Sequence, residues 1–351
     1  MSAQTAGAFT VEEQMDRLLN LDLAGRGVDH LYQAARERAG KALVLAAAER
    51  LAQVPRRSVV IITTGSASRA WVSPAIAEND GPAGAAVVAR ALALAFEVIP
   101  VCLIEHRLIQ PVGEIFKAAG LNVVTLEEAR RAAMPGGTTP VVVMRDYPED
   151  DVEGKRLASV VLDELQPSLV FSTERAGRNV QGIYHNARGV DYGMGRARVD
   201  YLFDEALRRG ISSVAVGDGG NEIGMGLISD VVSRYVSFGD RCACGCGAGI
   251  GAATSTDVLV TAACSNWGCY GIVACLAGLL ANTDLLHTPD QEELLLRRGV
   301  DVGLINATNG RIEPNPDGIP MSSHKAIVEL LREMAVRRIR LTDLKSKGVN
   351  Q

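Results

Sequence analysis

The segment VAVGDGGNEIGMG combines glycines with acidic side chains directly after an apolar run. Gly219 and Gly220 permit positive φ angles, so their backbone N–H groups can approach a ligand closely and stabilise an oxyanion. Asp218, Asn221 and Glu222 stand beside them, and a tight turn alone does not require two carboxylates and an amide. We predict catalytic roles for Asp218 and Glu222 and substrate binding by Gly219, Gly220 and Asn221. The three polar side chains are also candidate ligands for a divalent metal ion such as Mg²⁺ or Mn²⁺.

The segment FSTERAGRNVQGIYHNARG carries a high density of ionisable side chains at the end of another apolar run. The planar guanidinium of arginine matches a carboxylate, so Arg175 or Arg188 is predicted to hold a carboxylate of the substrate. Glu174 directly precedes Arg175 and is predicted to exchange protons. A solvated, salt-bridged loop is the alternative interpretation of this segment.

Further polar residues at predicted element ends complete the candidate site. Asp80 and Gly81 precede a helix that has a proline in its first turn. Asp80 therefore either caps that helix or holds a substrate ammonium group while backbone N–H groups receive a carboxylate. Ser265 and Asn266 follow a predicted strand, and we predict that they bind substrate. His324 begins a helix, where it either carries protons or has no chemical role.

Cys242, Cys244 and Cys246 alternate along the chain, so an extended backbone would place their sulfurs on one face. Structural zinc sites more often separate paired cysteines by two to four residues, so the spacing disfavours a metal and leaves the role of these cysteines open. The chain has seven cysteines, an odd number with irregular spacing, which is typical of a reducing compartment. We therefore expect a cytoplasmic location.

These residues need elements that bring them together, and the sequence alternates short β-branched runs with longer helical patterns. Strands are predicted at residues 58–64, 97–105, 121–126, 140–146, 168–174, 212–218, 257–263 and 302–306. Helices are predicted at about 82–95, 111–119, 153–166, 199–209, 267–281, 289–298 and 323–337. The alternation predicts an α/β fold with a mostly parallel, doubly wound, Rossmann-like sheet flanked by helices. Ligands bind beyond the carboxyl ends of such strands, where the candidate residues lie.

The predicted organisation is an N-terminal helical lead-in (1–54), one α/β domain (55–340) and a polar tail (341–351). The start of the chain lacks the basic and apolar parts of a secretory signal. The best candidate for a membrane span, residues 271–281, is too short and is predicted to be a buried helix. We expect no membrane partner.

Composition and motifs argue against several functional classes. A formal net charge of -5 and a pI near 5.7 supply no basic surface for nucleic acid. The glycine-rich loops do not match the GxGxxG fingerprint in its usual position with a ribose-binding acid downstream, so NAD is not expected. Lys325 is the one lysine among the strand-end motifs, so pyridoxal phosphate is not expected either. A small-molecule enzyme fits the composition best.

Five segments together resemble the D-glutamate cyclase family. They are LDLAGRGVDHLY, ENDGPAGA, STERAGR, GDGGNEIGMG and SNWG. The similarity is to the cyclase-type domain that forms the C-terminal part of longer members, and the chain is interpreted as a stand-alone form of it. The resemblance implies an amino-acid substrate and a hydro-lyase reaction from D-glutamate to 5-oxo-D-proline and water. Asn79 stands where the family usually has threonine, and TGSASRAW is atypical, which leaves a different substrate open.

Other interpretations of the same residues also stay open. A lyase or racemase acting on another small amino or hydroxy acid could use the same carboxylate-binding groups. A non-catalytic regulator could bind a carboxylate without turnover. The sequence leaves undetermined whether a metal is required, which carboxylate is acid or base, and whether the protein forms a homo-oligomer.

Overall fold

The structure is a computed structural model, and it describes residues 9–23, 25–65, 67–137 and 139–346. Its centre is one seven-stranded sheet in which every neighbouring pair of strands is parallel. The strands are β1 (Val59–Thr64), β2 (Ile99–Ile104), β3 (Asn122–Val123), β4 (Val141–Asp146), β5 (Leu169–Thr173), β6 (Ser212–Gly217) and β7 (Val258–Thr261). Their order is β3-β4-β2-β1-β5-β6-β7. This arrangement confirms the predicted α/β fold, with strands that are parallel throughout.

Twelve helices of the described residues flank the sheet. They are α1 (Val11–Leu19), α2 (Val28–Ala39), α3 (Leu43–Ala52), α4 (Pro82–Phe96), α5 (Ile109–Ala118), α6 (Leu126–Ala132), α7 (Asp151–Leu165), α8 (Asp200–Arg208), α9 (Ser229–Tyr235), α10 (Ser265–Leu280), α11 (Pro289–Asp301) and α12 (Met321–Ser346). All seven predicted helices are present, the lead-in contains α1 to α3, and α6 and α9 are additional. α12 continues past residue 340 into the predicted polar tail, whose residues 347–351 lie outside the described residues. Within the described ranges, each helix is either too short or too polar to cross a membrane.

Side chains on the two faces of the sheet enter two different cores. Val60 and Ile62 of β1 pack in one core with α3, α4 and α10, while Ile61 packs in the other with α7 and α8. Because both faces are covered, the central strands are apolar along nearly their whole length. α1 and α3 pack against α10, so the N-terminal helices belong to one of these covering layers.

The eighth predicted strand, residues 302–306, does not join the sheet. Ile305 instead forms a parallel bridge with Glu78 in the loop between β1 and α4. The Ile305 N–H donates to the Ala77 carbonyl, and the Ile305 carbonyl accepts from the Asn79 N–H. The strand prediction was wrong because a short apolar run can pair with a loop as well as with a sheet edge. The bridge fixes the loop that leads into α4.

The strand order changes direction at β1. From β1 the chain builds β2, β4 and β3 on one side and then crosses over to build β5, β6 and β7 on the other. A crevice opens beyond the carboxyl ends of the strands at such a point, and ligands usually bind there. β1 and β5 pair with each other, so the loops that follow them border this crevice.

Candidate active site

A cleft of about 300 Å³ lies beyond the carboxyl ends of β1, β5 and β6. Ser68 lies after β1, Glu174 after β5 and Asp218 after β6, and all three line the cleft. The other acids of its lining are Glu78, Glu222 and Asp317, and its arginines are Arg26, Arg69 and Arg188. A cleft that combines several acids with several arginines suits a small ligand that carries charges of both signs.

Three carboxylates converge beneath this cleft. Oxygens of Asp80, Glu174 and Asp218 lie within 4.8 Å of one another, and we call these three residues the acid cluster. The Ser265 hydroxyl donates a hydrogen bond of 2.6 Å to Glu174 Oε2. Glu174 and Asp218 meet because each is the first residue after its strand, and β5 and β6 are neighbours in the sheet.

Burial and mutual repulsion keep protons on the acid cluster. Burial raises the pKa of Glu174 and of Asp218 well above the usual range for a carboxyl group, and it raises the pKa of Asp80 to about 7. Neighbouring negative charges raise these pKa values further, because each carboxylate opposes the ionisation of the next. The cluster therefore holds at least one proton at neutral pH, which it can donate to a bound ligand.

The backbone around Glu174 is shaped to present its side chain. Glu174 has a φ of 51°, in the left-handed region that is uncommon for residues other than glycine. Gly81 packs against it, and a Cβ on Gly81 would lie 2.7 Å from Thr64 Oγ1 and 2.8 Å from Glu174 Cβ. The Gly81 N–H donates to Asp80 Oδ1 and Asn266 Oδ1. Gly81 therefore makes space for Glu174, and its N–H is already engaged within the protein.

Asp80, which precedes α4, caps the start of α10, and Asn266, which lies in the first turn of α10, caps the start of α4. Asp80 accepts from the N–H groups of Ser265 and Asn266, at 2.9 and 3.0 Å, at the start of α10. Asn266 Oδ1 accepts from the N–H groups of Gly81 and Gly84, at 3.1 and 2.7 Å, at the start of α4. Asp80 is thus a cap, as one of its two interpretations predicted, although the helix that it caps is α10. This exchange joins the two helix starts below the cleft.

Glu222 holds the glycine-rich loop from within. Glu222 Oε1 accepts from the N–H groups of Asp218 and Gly219 at 3.2 and 2.7 Å, and Oε2 accepts from the Gly220 N–H at 2.8 Å. The N–H groups that we predicted to stabilise an oxyanion therefore face the Glu222 carboxylate. The predicted oxyanion-binding role is thus wrong for these groups, and Glu222 and the two glycines instead position Asp218.

The predicted metal ligands Asp218, Asn221 and Glu222 are engaged with other groups. Asn221 Nδ2 donates to the His185 carbonyl at 2.8 Å, and Asp218 pairs with Arg26 at 2.9 Å. Glu222 holds the loop, so the three side chains are directed to separate partners. Among the described residues, the three carboxylates whose oxygens do lie within 4.8 Å of one another are those of the acid cluster.

Two other predicted site residues lie outside the cleft. Arg175 is 1% exposed and forms two hydrogen bonds with Glu105, of 2.8 and 3.0 Å. The guanidinium is thus engaged in a buried ion pair, and Arg175 does not line the cleft. His324 is buried in the core, where its Nδ1 accepts a 2.8 Å hydrogen bond from Trp267 Nε1, and burial lowers its pKa. Neither position fits substrate binding or proton transfer, and the burial of His324 agrees with the alternative interpretation, in which it has no chemical role.

Sequence reasoning missed four charged residues of the cleft, namely Arg26, Arg69, Glu78 and Asp317. Arg26 donates to Asp218 and Asp317 at 2.9 and 2.8 Å. Arg69 lines the cleft together with the predicted Arg188, and neither has a carboxylate partner within the described residues. A signal was present, since Arg26 belongs to LDLAGRGVDHLY and Arg69 to TGSASRAW. Arg69 and Arg188 are the arginines that remain available to a ligand carboxylate.

Comparison with known proteins agrees with the sequence resemblance. A sequence model of the family described as "D-glutamate cyclase-like, C-terminal" matches residues 15–332. The chain is also 28% identical to "D-glutamate cyclase, mitochondrial" from Homo sapiens, over 93% of this chain and 52% of the human protein. It thus spans about half the length of that relative. With the family match covering nearly all of the fold and the cleft described above, this chain belongs to the D-glutamate cyclase-like family and corresponds to its C-terminal domain.

Proposed function

We propose that this protein is a hydro-lyase that closes glutamate, or a close analogue, to 5-oxoproline with release of water. The observation that carries the proposal is the acid cluster, whose raised pKa values keep a proton available beside the arginines of the cleft. The name of the human relative, D-glutamate cyclase, supports the same reaction and favours the D enantiomer.

Ring closure transfers two protons from nitrogen to oxygen. The α-nitrogen of glutamate attacks the γ-carbon, so a C–N bond forms and a C–O bond of the γ-carboxyl group breaks. The ammonium group loses two protons, and the departing oxygen gains both and leaves as water. An acid and a base that lie close together can carry this whole proton balance.

We assign these roles to the side chains that line the cleft. Glu174 is the proton donor, because its raised pKa keeps it protonated. Asp218 takes protons from the amine, because its ion pair with Arg26 opposes the rise in its pKa and stabilises its ionised form. Arg69 and Arg188 bind the substrate carboxylate that does not react.

The acid cluster is also where a divalent ion such as Mg²⁺ or Mn²⁺ would bind. Asp80, Glu174 and Asp218 offer the oxygen ligands that hard cations prefer. A bound ion would supply positive charge to the γ-carboxyl group. Its contribution is measured by running the same assay with and without the metal.

The test is proton NMR of D- and L-glutamate incubated with the purified protein, with and without added Mg²⁺ or Mn²⁺. We expect the ring protons of 5-oxoproline to appear with D-glutamate and not with heat-inactivated protein. A folded protein that yields no ring product from either enantiomer would contradict the proposal. Turnover of another amino or hydroxy acid would then identify a related lyase or racemase. Thermal stabilisation by a carboxylate without turnover would identify a regulator.

We also propose a reducing compartment, specifically the cytoplasm, for this protein. All seven cysteines are free thiols in the structure. The name of the human relative assigns that protein to mitochondria, so the two locations need to be distinguished by experiment. Cell fractionation with an antibody against the untagged protein makes that distinction.

A further inference from the structure

Three sulfurs surround an imidazole nitrogen in a group that the proposed reaction does not use. His185 Nε2 lies 3.2 Å from Cys244 Sγ and 3.9 Å from Cys246 Sγ. Cys242 Sγ lies 3.2 Å from Cys244 Sγ and 3.4 Å from Cys246 Sγ. All four atoms fall within 4.8 Å of one another. We call these four residues the thiol cluster.

Two glycines allow the alternating cysteines to converge. In an extended strand Cys242 and Cys246 would lie about 13 Å apart, because each residue advances the chain by about 3.3 Å. Gly245 and Gly247 have φ angles of 82° and 87°, which let the chain reverse, and neither glycine has a neighbour within 4 Å of a Cβ position. The Cys242 N–H donates to the Ala248 carbonyl at 2.9 Å and closes the turn.

We propose that His185, Cys242, Cys244 and Cys246 bind a zinc ion. Three thiolates and one imidazole around a common point form a donor set that zinc uses in four-coordinate structural sites. His185 is fully buried and directs its Nε2 at the sulfurs, as a ligand would. It lies 59 residues before Cys244, so the spacing of the cysteines alone could not reveal the fourth ligand. Binding of zinc releases the thiol protons.

A disulfide accounts for this arrangement less completely than zinc does. Oxidation would join two of the sulfurs and leave the third cysteine and His185 without a partner of their own. Asn179 Nδ2 also donates to Cys246 Sγ at 3.4 Å and to the Gly249 carbonyl at 2.8 Å. An N–H donor beside a sulfur stabilises the thiolate form that a metal requires.

The zinc ion would hold one wall of the cleft. Residues 186–188 line the cleft, and His185 directly precedes them. Gly189 directly follows them, and its carbonyl accepts from the N–H groups of Ala243 and Cys244 at 2.9 and 3.1 Å. The thiol cluster therefore fixes both ends of segment 186–188, which carries Arg188 of the cleft. Metal binding does not depend on the proposed cyclase reaction and can be measured without turnover.

The first test is the zinc content of the full chain, purified without a polyhistidine tag from zinc-supplemented cells and dialysed against a weak chelator. We expect about one zinc per chain for the wild type and less than about a tenth for C244A and C246A. C275A is the matched control, because Cys275 is buried in α10 and should leave the zinc content unchanged. Zinc below about a tenth in the wild type, or undiminished zinc in C244A and C246A, would overturn the proposal.

Cobalt titration of wild-type protein stripped of metal keeps the test independent of how the variants fold. Tetrahedral Co²⁺ with thiolate ligands gives sulfur-to-metal charge-transfer bands and intense visible absorption, which zinc should then displace. A natively folded protein that shows neither the charge-transfer bands nor the visible absorption would refute a zinc site. An intact mass lower by two hydrogens, which indicates a disulfide, would also refute it.

Limited trypsin digestion tests the structural consequence. Arg188 is exposed and is a potential cleavage site. We expect chelation to speed cleavage after Arg188 by at least about tenfold, and added zinc to reverse the change, because the segment loses its anchor. An unchanged cleavage rate in protein shown to have lost its zinc would overturn the inference that the metal holds this wall.

Discussion

Glu174 combines an unusual backbone conformation with an environment that disfavours the ionised form of its carboxyl group. Its φ of 51° is left-handed, its pKa is raised by burial, and the carboxyl groups of Asp218 and Asp80 lie beside it. Strained backbone and raised pKa values concentrate at functional sites, where the surrounding structure enforces them. Gly81 and Ser265 provide that enforcement, one by leaving space and the other by a hydrogen bond.

At the residue scale we predict the effect of Glu174→Gln. The amide matches the carboxyl group in shape but cannot deliver its proton, so turnover of glutamate should fall by about 100-fold or more. The free energy of unfolding should stay equal or rise, because a repelling acid is removed. Initial rates by NMR and urea unfolding measure the two quantities.

Glu329→Gln is the matched control, because Glu329 is exposed on α12. Its turnover should equal that of the wild type. An E174Q variant that keeps turnover within about threefold of the wild type would remove Glu174 from the proton-transfer steps.

At the scale of elements, Asp16 joins two of the N-terminal helices. Its carboxylate, on α1, accepts from the N–H groups of Leu43 and Val44 at 2.7 and 3.0 Å at the start of α3. Burial nevertheless raises the pKa of Asp16 to about 6. The carboxyl group therefore binds its proton more tightly in the folded chain than in the unfolded chain.

The raised pKa of Asp16 predicts how stability depends on pH. An unfolded Asp loses its proton near pH ~4, whereas Asp16 keeps it up to about pH 6 in the folded state. Its contribution to stability is therefore fully present below pH ~4 and is lost as the pH rises to about 6, by up to about 3 kcal/mol in all. Urea unfolding of the wild type and of D16N between these pH values measures the difference.

In D16N this pH-dependent part should be absent, although the variant is less stable at every pH because an amide cannot accept both N–H groups. A difference between the two proteins that stays constant from pH ~4 to pH ~7 would show that the pKa of Asp16 is not raised.

At the scale of the whole molecule, the buried pair of Arg175 and Glu105 joins the two halves of the sheet. Glu105 follows β2 and Arg175 follows β5, on opposite sides of β1. Arg175 also donates to the carbonyls of Gly65 and Ala197, at 2.8 and 2.7 Å. The Ala197 N–H donates to Glu105 at 2.9 Å, so the pair is surrounded by satisfied partners.

For Arg175→Lys we predict a loss of about 3 kcal/mol or more in the free energy of unfolding. One ammonium group cannot replace the fork of the guanidinium, and breaking a buried pair leaves polar groups unsatisfied. Turnover per folded molecule should stay within about threefold of the wild type, because Arg175 lies outside the cleft. Arg209→Lys, at a surface pair with Glu205, should cost less than about 1 kcal/mol. A fully stable R175K without turnover would restore a direct role for Arg175.

The sequence by itself determined the layers of this protein, and all three members of its acid cluster were among the predicted site residues. Apolar runs such as Val59–Thr64 alternate with helical patterns, and that local periodicity is enough to predict a parallel sheet covered on both faces. Glu174 and Asp218 were found because each follows a strand, and parallel strands end at one edge. The same reasoning misplaced residues 302–306, whose partner is a loop.

Only the tertiary structure decided which charges meet. Arg26 pairs with Asp218 across 192 residues of chain, and His185 meets Cys244 across 59 residues. The sequence shows both members of each pair, but spacing carries no information about contacts that strand order and loop closure create. Arg175 was predicted to bind substrate because of its side-chain type. In the structure its guanidinium instead forms a buried ion pair with Glu105, which follows β2 on the other side of β1.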